Sequence, residues 1–365
     1  MTSASAPGPV PVPAPAPDEP AAEGLRVVVV GATGNVGTSV VQALADHPAV
    51  ASVTGLARRV PNWQPPKTHW RSVSIEPGGQ DLVPLFAGAD AVVHLAWKFQ
   101  PTHRPAETWE TNVLGSVRVF DAVAAAGVPA LVHASSVGAY SPGPRHRPVD
   151  ESWPTHGWPQ AAYCREKAYL ERVLDAYEAV FPGIRVVRMR PAFLFKRESA
   201  SEQRRIFAGR LLPGSLVRPG LIPLVPELEG LRFQALHTDD AAAAYREAVL
   251  RPVRGAFNLA AGPPLDGAAL ARIFAAKPVR LPTAAVRAGL SAAWRMRLVP
   301  ASPDLFDAVL RLPLLDASRA HEELGWQPRR SSVEAFEEFL AGLRDGAGMP
   351  TAPLTPTGRP TPSGT

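Results

Sequence analysis

The amino-acid sequence predicts an α/β protein with a doubly wound parallel sheet, covered by helices on both faces. Two patterns indicate this fold. Short, β-branched apolar segments alternate with longer segments whose apolar residues recur at helical spacing, as in the strand–helix repeats of a parallel sheet. The first strand, residues 25–30, also runs directly into a glycine-rich turn and a helix, an arrangement typical of ligand binding by open parallel sheets.

The glycine-rich turn Gly31-Ala-Thr-Gly34-Asn-Val-Gly37 precedes a helix that is predicted to begin near Asn35. Glycine permits a tight turn and a close approach of backbone to a pyrophosphate, whose charge is stabilised by the N–H groups and dipole of a helix N-terminus. We interpret the turn as a dinucleotide-binding site. The alternative is an ordinary strand–helix turn of another α/β protein.

The second predicted strand, residues 51–57, ends where the adenosine ribose of a dinucleotide would lie. A carboxylate at this position binds the 2′-hydroxyl of NAD, but the chain has Ala57 followed by Arg58 and Arg59. Two arginines favour a 2′-phosphate, so NADP is the favoured cofactor and NAD the alternative. In the alternative interpretation, both arginines lie in solvent at the end of the strand and do not contact a cofactor.

Three further elements follow in order. Residues 90–97 are a buried strand that runs into a loop, and residues 105–126 form a long helix. Residues 130–136 supply the next strand and end in Ser135 and Ser136. These hydroxyl groups lie at the carboxyl end of the strand, where open α/β sheets bind their ligands.

A helix predicted over residues 161–180 carries Tyr163 and Lys167. Residues four apart share a helix face, so the lysine ammonium is expected beside the phenol. A neighbouring ammonium would lower the pKa of the tyrosine from about 10 towards the range of a working acid or base. The alternative is an ordinary amphipathic surface.

Composition narrows the functional classes. The net charge is +5, and the lysines and arginines are scattered among acidic residues without a basic block. This distribution does not indicate a nucleic-acid partner. A single cysteine, Cys164, excludes an internal disulfide. Neither a secretory signal nor a membrane span is indicated, so a cytoplasmic protein is expected. Disordered tails are predicted for residues 1–22 and 345–365, and the scattered histidines lack the paired spacing of a metal site.

Taken together, the motifs resemble those of the extended short-chain dehydrogenases/reductases of the NAD-dependent epimerase/dehydratase family. The resemblance covers about residues 25–344, with later landmarks at 188–191, 237–240, 257–259 and 324–328. The five motifs that carry it occur in the family's order: Gly31 to Gly37, His94 to Ala96, Thr111 to Gly115, Ser135 to Tyr140 and Tyr163 to Lys167.

The resemblance implies a Rossmann fold with a small C-terminal substrate-binding lobe. Residues 23–191 would form the Rossmann dinucleotide-binding domain, completed by about 235–262. Residues 192–344 would form the substrate-binding lobe, interleaved with that domain. The arginines of the first part of this lobe, among them Arg197 and Arg205, would either hold an anionic substrate group or form a solvated face.

The resemblance also implies roles for individual residues. Tyr163 would be the acid or base, Lys167 would hold the nicotinamide ribose, and Ser136, which stands four residues before an aromatic residue, would bind the reacting oxygen. Asn112 would support the proton path or the local backbone. The implied cofactor-binding residues are Gly31, Thr33, Gly34, Asn35, Val36, Gly37, Arg58, Leu95, Ala96, Lys167 and Pro191.

The chain departs from the family pattern at three places. Ala57 replaces an acid, Ser74-Ile75 replaces an adenine-contacting Asp, and Trp97 replaces a small residue. The first two departures bear on the choice between NAD and NADP. Trp97 is expected to narrow the nicotinamide end, to line the substrate pocket, or to be a simple core residue.

The resemblance implies an NAD(P)-dependent enzyme that moves hydride between nicotinamide and a small alcohol or carbonyl substrate. It also suggests a homodimer through the helices near Asn112 and Tyr163. A nucleotide-sugar epimerase or dehydratase that retains NAD competes with a carbonyl reductase that consumes NADPH. A non-catalytic, dinucleotide-binding redox sensor is the alternative from another class. Such sensors usually lack the tyrosine–lysine pair, which this chain has.

Overall fold

A computed structural model describes residues 24–144, 146–209 and 220–356 of the chain. Its strands are β1 (Leu25–Val30), β2 (Val50–Ala57), β3 (Thr68–Ser72), β4 (Ala91–His94), β5 (Ala130–Ala134), β6 (Arg185–Pro191), β7 (Phe193–Phe195), β8 (Leu224–Glu227), β9 (Arg232–Phe233), β10 (Ala235–His237), β11 (Gly255–Leu259), β12 (Leu265–Asp266) and β13 (Lys277–Arg280). Its α-helices are α1 (Asn35–Ala45), α2 (Val83–Phe86), α3 (Pro105–Trp109), α4 (Gly115–Ala125), α5 (Ala162–Val180), α6 (Ala200–Gln203), α7 (Thr238–Leu250), α8 (Gly267–Ile273), α9 (Thr283–Arg295), α10 (Pro303–Val309), α11 (Ser318–Leu324) and α12 (Ser332–Asp345).

The central sheet has the strand order β11-β6-β5-β4-β1-β2-β3, and every neighbouring pair is parallel. The strand order reverses at β1, which pairs with β2 on one side and β4 on the other. Ligands of doubly wound sheets bind in the crevice that such a reversal opens at the carboxyl ends of the strands. The fold class expected from the sequence is therefore confirmed, and β1 leads into the glycine turn at this crevice.

Helices cover both faces of the sheet. On one face, α1 packs against α7, where small residues such as Ala241 and Ala244 permit the two helices to approach closely. On the other face, Phe120 of α4 and Leu170 of α5 lie in a second buried cluster with strand residues. The last four residues of β1 are all valine and all buried, because the sheet is covered on both faces.

The predicted helix over residues 105–126 is interrupted in the structure. Its middle, Glu110–Leu114, is a π-helical turn between α3 and α4. The turn contains Asn112, which is completely buried. Such π-turns are usually found where a helix must present a residue to a functional site, and helical periodicity in the sequence does not reveal them.

Outside the central sheet, the described residues form a smaller group of elements with three two-stranded sheets, β7–β10, β8–β13 and β9–β12, together with α8, α9, α10 and α12. A cluster of phenylalanines around Phe195, Phe233 and Phe339 forms its core. Residues 317–326 were predicted to belong to the substrate-binding lobe. The structure instead packs Ala320 and Trp326 into the core of the main sheet, and the Trp326 indole donates a hydrogen bond of 2.6 Å to the Asp240 carbonyl.

The end of the chain differs from the expected disordered tail. Leu354 is fully buried, and the Thr351 hydroxyl donates a hydrogen bond of 2.9 Å to the carbonyl of Thr33 in the glycine turn. Residues 346–356 therefore pack on the domain, whereas 357–365 and the predicted N-terminal tail lie outside the described residues. None of the helices in the described parts of the chain is long and apolar enough to cross a lipid bilayer.

Candidate active site

The glycine turn has two positions where only glycine fits. Gly31 has a φ of +85°, and a Cβ there would lie 2.5 Å from the nitrogen of Ala96. A Cβ at Gly37 would lie 2.2 Å from the carbonyl oxygen of Gly31. Gly34 is different, because a Cβ would meet only the Gly31 oxygen at 3.7 Å, which is an ordinary contact. Packing within the protein therefore does not require glycine at position 34. A ligand that lies against the backbone at this position would require it.

The beginning of α1 fits a bound pyrophosphate. Gly34 precedes the helix with extended backbone, and no side chain in the described residues caps the first turn, which also lacks acidic residues. Its N–H groups and the helix dipole attract an anion. The turn therefore has the features that a dinucleotide requires, namely close backbone access and free donors.

A cavity of about 720 Å³ extends from this turn to Tyr163. Thr33, Ala96 and Asn112 do not line it: Thr33 is buried under Thr351, and Ala96 lies against Gly31. The predicted site residues that do line the cavity are Gly31, Gly34, Asn35, Val36, Gly37, Arg58, Leu95, Ser136, Tyr163, Lys167 and Pro191.

The two adjacent serines have different partners. The Ser136 hydroxyl favours the ionised form of the neighbouring Tyr163, whose pKa it lowers, and accepts the N–H of Gly138 at 3.0 Å. Ser135 instead donates a bond of 2.6 Å to the buried carboxylate of Glu171. Tyr163 lies so close to the serine loop that a Cβ at Gly138 would be 2.7 Å from its ring. The geometry thus joins Ser136, not Ser135, to the tyrosine.

Lys167 does not have the effect on Tyr163 that the sequence predicted. Burial raises the pKa of Tyr163 above its usual value, and the side chain of Ser136 opposes this increase only in part. The Lys167 ammonium donates a hydrogen bond of 2.6 Å to the Ala134 carbonyl, and burial lowers its own pKa to about 7. Desolvation, which helical spacing cannot reveal, outweighs the expected attraction between the two groups.

Aromatic side chains surround the tyrosine. The Trp97 ring lies edge-on to Tyr163 with 5.6 Å between centroids, and its face is 3.4 Å from the Lys167 nitrogen. Phe99 stacks on the other side of Tyr163 at 5.3 Å and 13°. Since Trp97 lines the cavity, it narrows this end of the site and is not a simple core residue.

Asn112 holds the loop after β4. Its side-chain oxygen accepts the Lys98 N–H at 2.7 Å, and its amide group donates to the Lys98 carbonyl and to Glu166 at 2.8 and 2.7 Å. Of the two roles considered for Asn112, these bonds match support of the local backbone. They fix the segment that carries Trp97 and Phe99.

A buried ionic network supports the serine loop from behind. Arg190 donates to both oxygens of Glu171, at 2.9 and 2.8 Å, and to the hydroxyl of Tyr140 at 2.9 Å. The carboxylate also binds Ser135 and Arg188, and these partners hold its pKa down at about 2 despite its burial. Each oxygen of the Glu171 carboxylate thus has two hydrogen-bond donors, which makes the loop rigid.

Sequence reasoning missed Tyr245 as a site residue. Its side chain is buried in α7 and reaches the cavity, and its hydroxyl has no hydrogen-bond partner among the described residues. The signal in the sequence was a single large polar aromatic residue after Ala241 to Ala244. Phe99 and Phe207, which also line the cavity, were missed as well.

The histidines show no grouping of metal ligands. His94 and His133 are buried side by side, and burial lowers the pKa of His94 to about 3. His94 shares a hydrogen bond of 2.8 Å with Ser116. Within residues 24–144, 146–209 and 220–356, no group of three or more His, Cys, Asp or Glu side chains is placed to hold a metal ion.

Comparison with known proteins places this geometry in context. Residues 27–260 match the model of the NAD dependent epimerase/dehydratase family. An uncharacterized protein of Mycobacterium tuberculosis is 28% identical over 261 residues, which are 69% of this chain and 65% of that protein. The chain thus spans slightly less than two thirds of the length of this relative. An L-arabinose 1-dehydrogenase (NAD(P)(+)) of Haloferax volcanii is 35% identical over 112 residues, 30% of this chain and 41% of that enzyme.

Solved structures share the fold. A UDP-glucose-4-epimerase from Stenotrophomonas maltophila, with bound NAD and formylated UDP-arabinopyranose, has a TM-score of 0.66 and 19% identity, covering 88% of this chain and 98% of that one. A UDP-glucose 4-epimerase from Thermotoga maritima with UDP-glucose has a TM-score of 0.65 and 20% identity, covering 88% and 99%. At these identities the similarity concerns the fold alone.

Proposed function

Because the chain belongs to the NAD-dependent epimerase/dehydratase family of the short-chain dehydrogenase/reductase superfamily, we propose that it transfers hydride between a nicotinamide dinucleotide and an alcohol or carbonyl substrate, with Tyr163 as the acid or base. One observation carries this proposal: Ser136 and Tyr163 line the same cavity as the glycine turn. Cofactor and proton donor would therefore meet at one substrate.

The two side chains would act on the substrate oxygen. In the oxidative direction, the ionised form of Tyr163 would take the hydroxyl proton while the carbon loses its hydrogen with both electrons, which would leave a carbonyl compound. When bound, the nicotinamide supplies the acceptor for that hydride. Ser136 donates a hydrogen bond to the oxygen as its negative charge develops. In the reverse direction Tyr163 returns the proton.

Residues of the cofactor site would hold the dinucleotide along the cavity. The N–H groups at the beginning of α1 would bind the pyrophosphate, and Lys167 would bind the nicotinamide ribose. Arg58 is exposed, follows β2 and lines the cavity, which supports a contact with a 2′-phosphate. We therefore favour NADP, with NAD as the alternative that the similar epimerases support.

A nucleotide-sugar epimerase or dehydratase is the second candidate, since solved structures of this fold include epimerases with NAD and UDP-sugars. It would return the hydride to its substrate and retain the cofactor. A non-catalytic dinucleotide sensor is disfavoured by the neighbouring side chains of Ser136 and Tyr163, which such a sensor does not need.

We also propose a homodimer through the helices of the second sheet face. Leu114 in the π-helical turn and Tyr169 on α5 are exposed, and Tyr169 packs beside Trp109 with 4.9 Å between ring centroids. Exposed apolar side chains on neighbouring helices favour association with a second copy.

Substitution Tyr163→Phe tests the function. It keeps the ring but removes the acidic proton, so turnover should fall by about three orders of magnitude while dinucleotide affinity changes less than about twofold. Calorimetric titration with NAD(H) and NADP(H), after mass spectrometry of any copurified cofactor, measures the affinity. Retained NAD⁺ would favour the epimerase. The matched control is Tyr169→Phe on the exposed side of the same helix. Equal activity in wild type and Tyr163→Phe would refute the mechanism.

A further inference from the structure

Part of the cavity that Tyr163 lines is formed by apolar side chains. We name this region the apolar chamber and define it by six residues: Phe99, Phe207, Leu290, Leu305, Phe306 and Val309. They come from the loop after β4, from the turn Arg204–Ala208, and from α9 and α10. None of the six is fully buried, so each leaves apolar surface exposed in the protein alone.

The apolar chamber is continuous with the catalytic pair. Phe99 stacks on the Tyr163 ring at 5.3 Å, and Phe207 meets Phe99 edge-on at 5.7 Å. These two contacts join the reactive hydroxyl group of Tyr163 to the apolar chamber through adjacent aromatic rings. Exposed apolar surface that leads to a reactive group is favourable only when a ligand covers it.

Polar neighbours of the chamber are already engaged within the protein. The Gln100 amide group donates to the Ile206 carbonyl at 2.7 Å, and the Gln203 amide group donates to the Leu194 carbonyl at 2.8 Å. The Ser302 hydroxyl caps α10 by accepting the Leu305 N–H. These bonds leave few groups for recognition of a base or a sugar hydroxyl.

None of the six residues that define the apolar chamber carries a positive charge that could bind a diphosphate. The charged residues of the whole described cavity lining are Arg58, Lys98, Lys167 and Glu202. Arg58 lies at the adenosine end, and Lys98 lies 3.8 Å from Glu76 and 4.0 Å from Glu107. The carboxyl group of Glu202 would repel a phosphate when ionised; burial raises its pKa to about 7.

Of the arginines that the sequence offered for anion binding, the four that the structure describes do not line the cavity. Arg197 pairs with Asp345 at 2.5 Å, and Arg205 donates to the carbonyls of Pro353 and Thr355. Arg204 and Arg232 do not line the cavity and have interactions of their own. Arg210 and Arg218 lie outside the described residues.

We infer that the substrate is an apolar secondary alcohol or ketone whose hydrocarbon body fills the apolar chamber, and not a nucleotide sugar. This inference rests on the proposed hydride transfer at Tyr163 and specifies its substrate. The hydrocarbon would lie on Phe99 and Phe207, and only the reacting oxygen would need polar partners, which Ser136 and Tyr163 supply.

The test compares two ligand classes on the cofactor-loaded enzyme. 1-Tetralone and 1-tetralol represent apolar substrates, and UDP-glucose and UDP-galactose represent nucleotide sugars. Calorimetry measures binding of each, absorbance of the reduced nicotinamide measures oxidation or reduction, and chromatography measures interconversion of the two sugars. We expect binding and turnover of the bicyclic pair, and neither for the UDP-sugars.

Chamber variants localise the binding. Phe207→Ala should weaken tetralone binding about tenfold because a ring's apolar contact is lost, and Phe207→Leu should restore most of it. Leu281→Ala is the matched control, because Leu281 is 42% exposed against 38% for Phe207 but does not line the cavity. Since Phe207 is already partly exposed, its removal leaves the fold intact.

The outcomes separate this inference from the proposed function. Failure of tetralone to bind, or equal weakening by Phe207→Ala and Leu281→Ala, would overturn the apolar substrate. If UDP-sugars turn over instead and Tyr163→Phe abolishes that turnover, the substrate class is wrong but the proposed function stands. If tetralone binds in the chamber and no hydride transfer occurs, the substrate class is supported and the proposed function fails.

Discussion

The nitrogen of the Lys167 ammonium group lies 3.4 Å from the centre of the Trp97 ring. This contact stabilises the charged form of the lysine, whereas burial disfavours it. Burial has the larger effect, because the pKa of Lys167 is lowered to about 7. Stability should therefore depend on pH through this one side chain.

Lys167→Met tests that dependence. Between the folded pKa of about 7 and the usual value of 10.5, the unfolded chain binds a proton that the folded chain does not. The free energy of unfolding of the wild type should thus rise with pH across this window, by about 1.4 kcal/mol per pH unit, and the methionine variant should lack this contribution. Urea unfolding at several pH values measures it. Lys277→Met, at an exposed lysine, should retain the rise; an unchanged rise in Lys167→Met would contradict the prediction.

Substitution of Ser136 should lower turnover, whereas substitution of Ser135 should lower stability. Ser136→Ala removes the partner of Tyr163, so turnover should fall about a hundredfold with little change in stability. Ser135→Ala leaves a buried oxygen of Glu171 with one donor fewer and should cost about 1 to 3 kcal/mol of stability. Steady-state kinetics and urea unfolding separate the two effects. A larger loss of turnover in Ser135→Ala would reverse our assignment.

Arg58→Ala should alter the choice of dinucleotide. Arg58 lines the cavity, whereas its exposed neighbour Arg59 does not. Loss of a charged hydrogen bond to a 2′-phosphate should raise the dissociation constant for NADP at least about tenfold and leave that for NAD within about twofold. Calorimetry measures both constants, and Arg59→Ala is the control. An equal effect of Arg58→Ala on both dinucleotides would remove the reason to favour NADP.

Tyr245 and Tyr140 form a matched pair for stability. The Tyr245 hydroxyl is buried with no partner among the described residues, so Tyr245→Phe should stabilise the cofactor-free protein by about 1 kcal/mol. The Tyr140 hydroxyl donates to Asn258 at 2.7 Å and accepts from Arg190 at 2.9 Å, so Tyr140→Phe should destabilise it by about 1 to 3 kcal/mol. Chemical unfolding measures both; similar losses at the two positions would mean that a water satisfies Tyr245.

Sequence reasoning succeeded where a requirement is local. Gly31 and Gly37 were identified because a strand that turns sharply into a helix demands glycine, and both positions prove to lack room for a Cβ. The parallel sheet followed from continuous apolar runs such as β1, since burial on both faces leaves no polar alternation.

Features that depend on distant parts of the chain were not predictable. The contact of Trp97 with Lys167, the approach of Tyr245 to the cavity and the apolar chamber each join segments far apart in sequence. The lowered pKa of Lys167 also arises from burial, which helical spacing alone does not specify. The packing of residues 346–356 on the protein was not predicted, because a proline-rich composition indicates little apolar surface to bury. Leu354 is nevertheless fully buried.

The hydrogen bond between Thr351 and the Thr33 carbonyl joins residues 318 positions apart. On the ribosome, the glycine turn is therefore synthesised long before the segment that covers it. A nascent chain, or one shortened by a protease before residue 351, can assemble the strands of the sheet but leaves that carbonyl without its partner. Loss of Thr351 would therefore change the glycine turn, although the two lie at opposite ends of the described sequence.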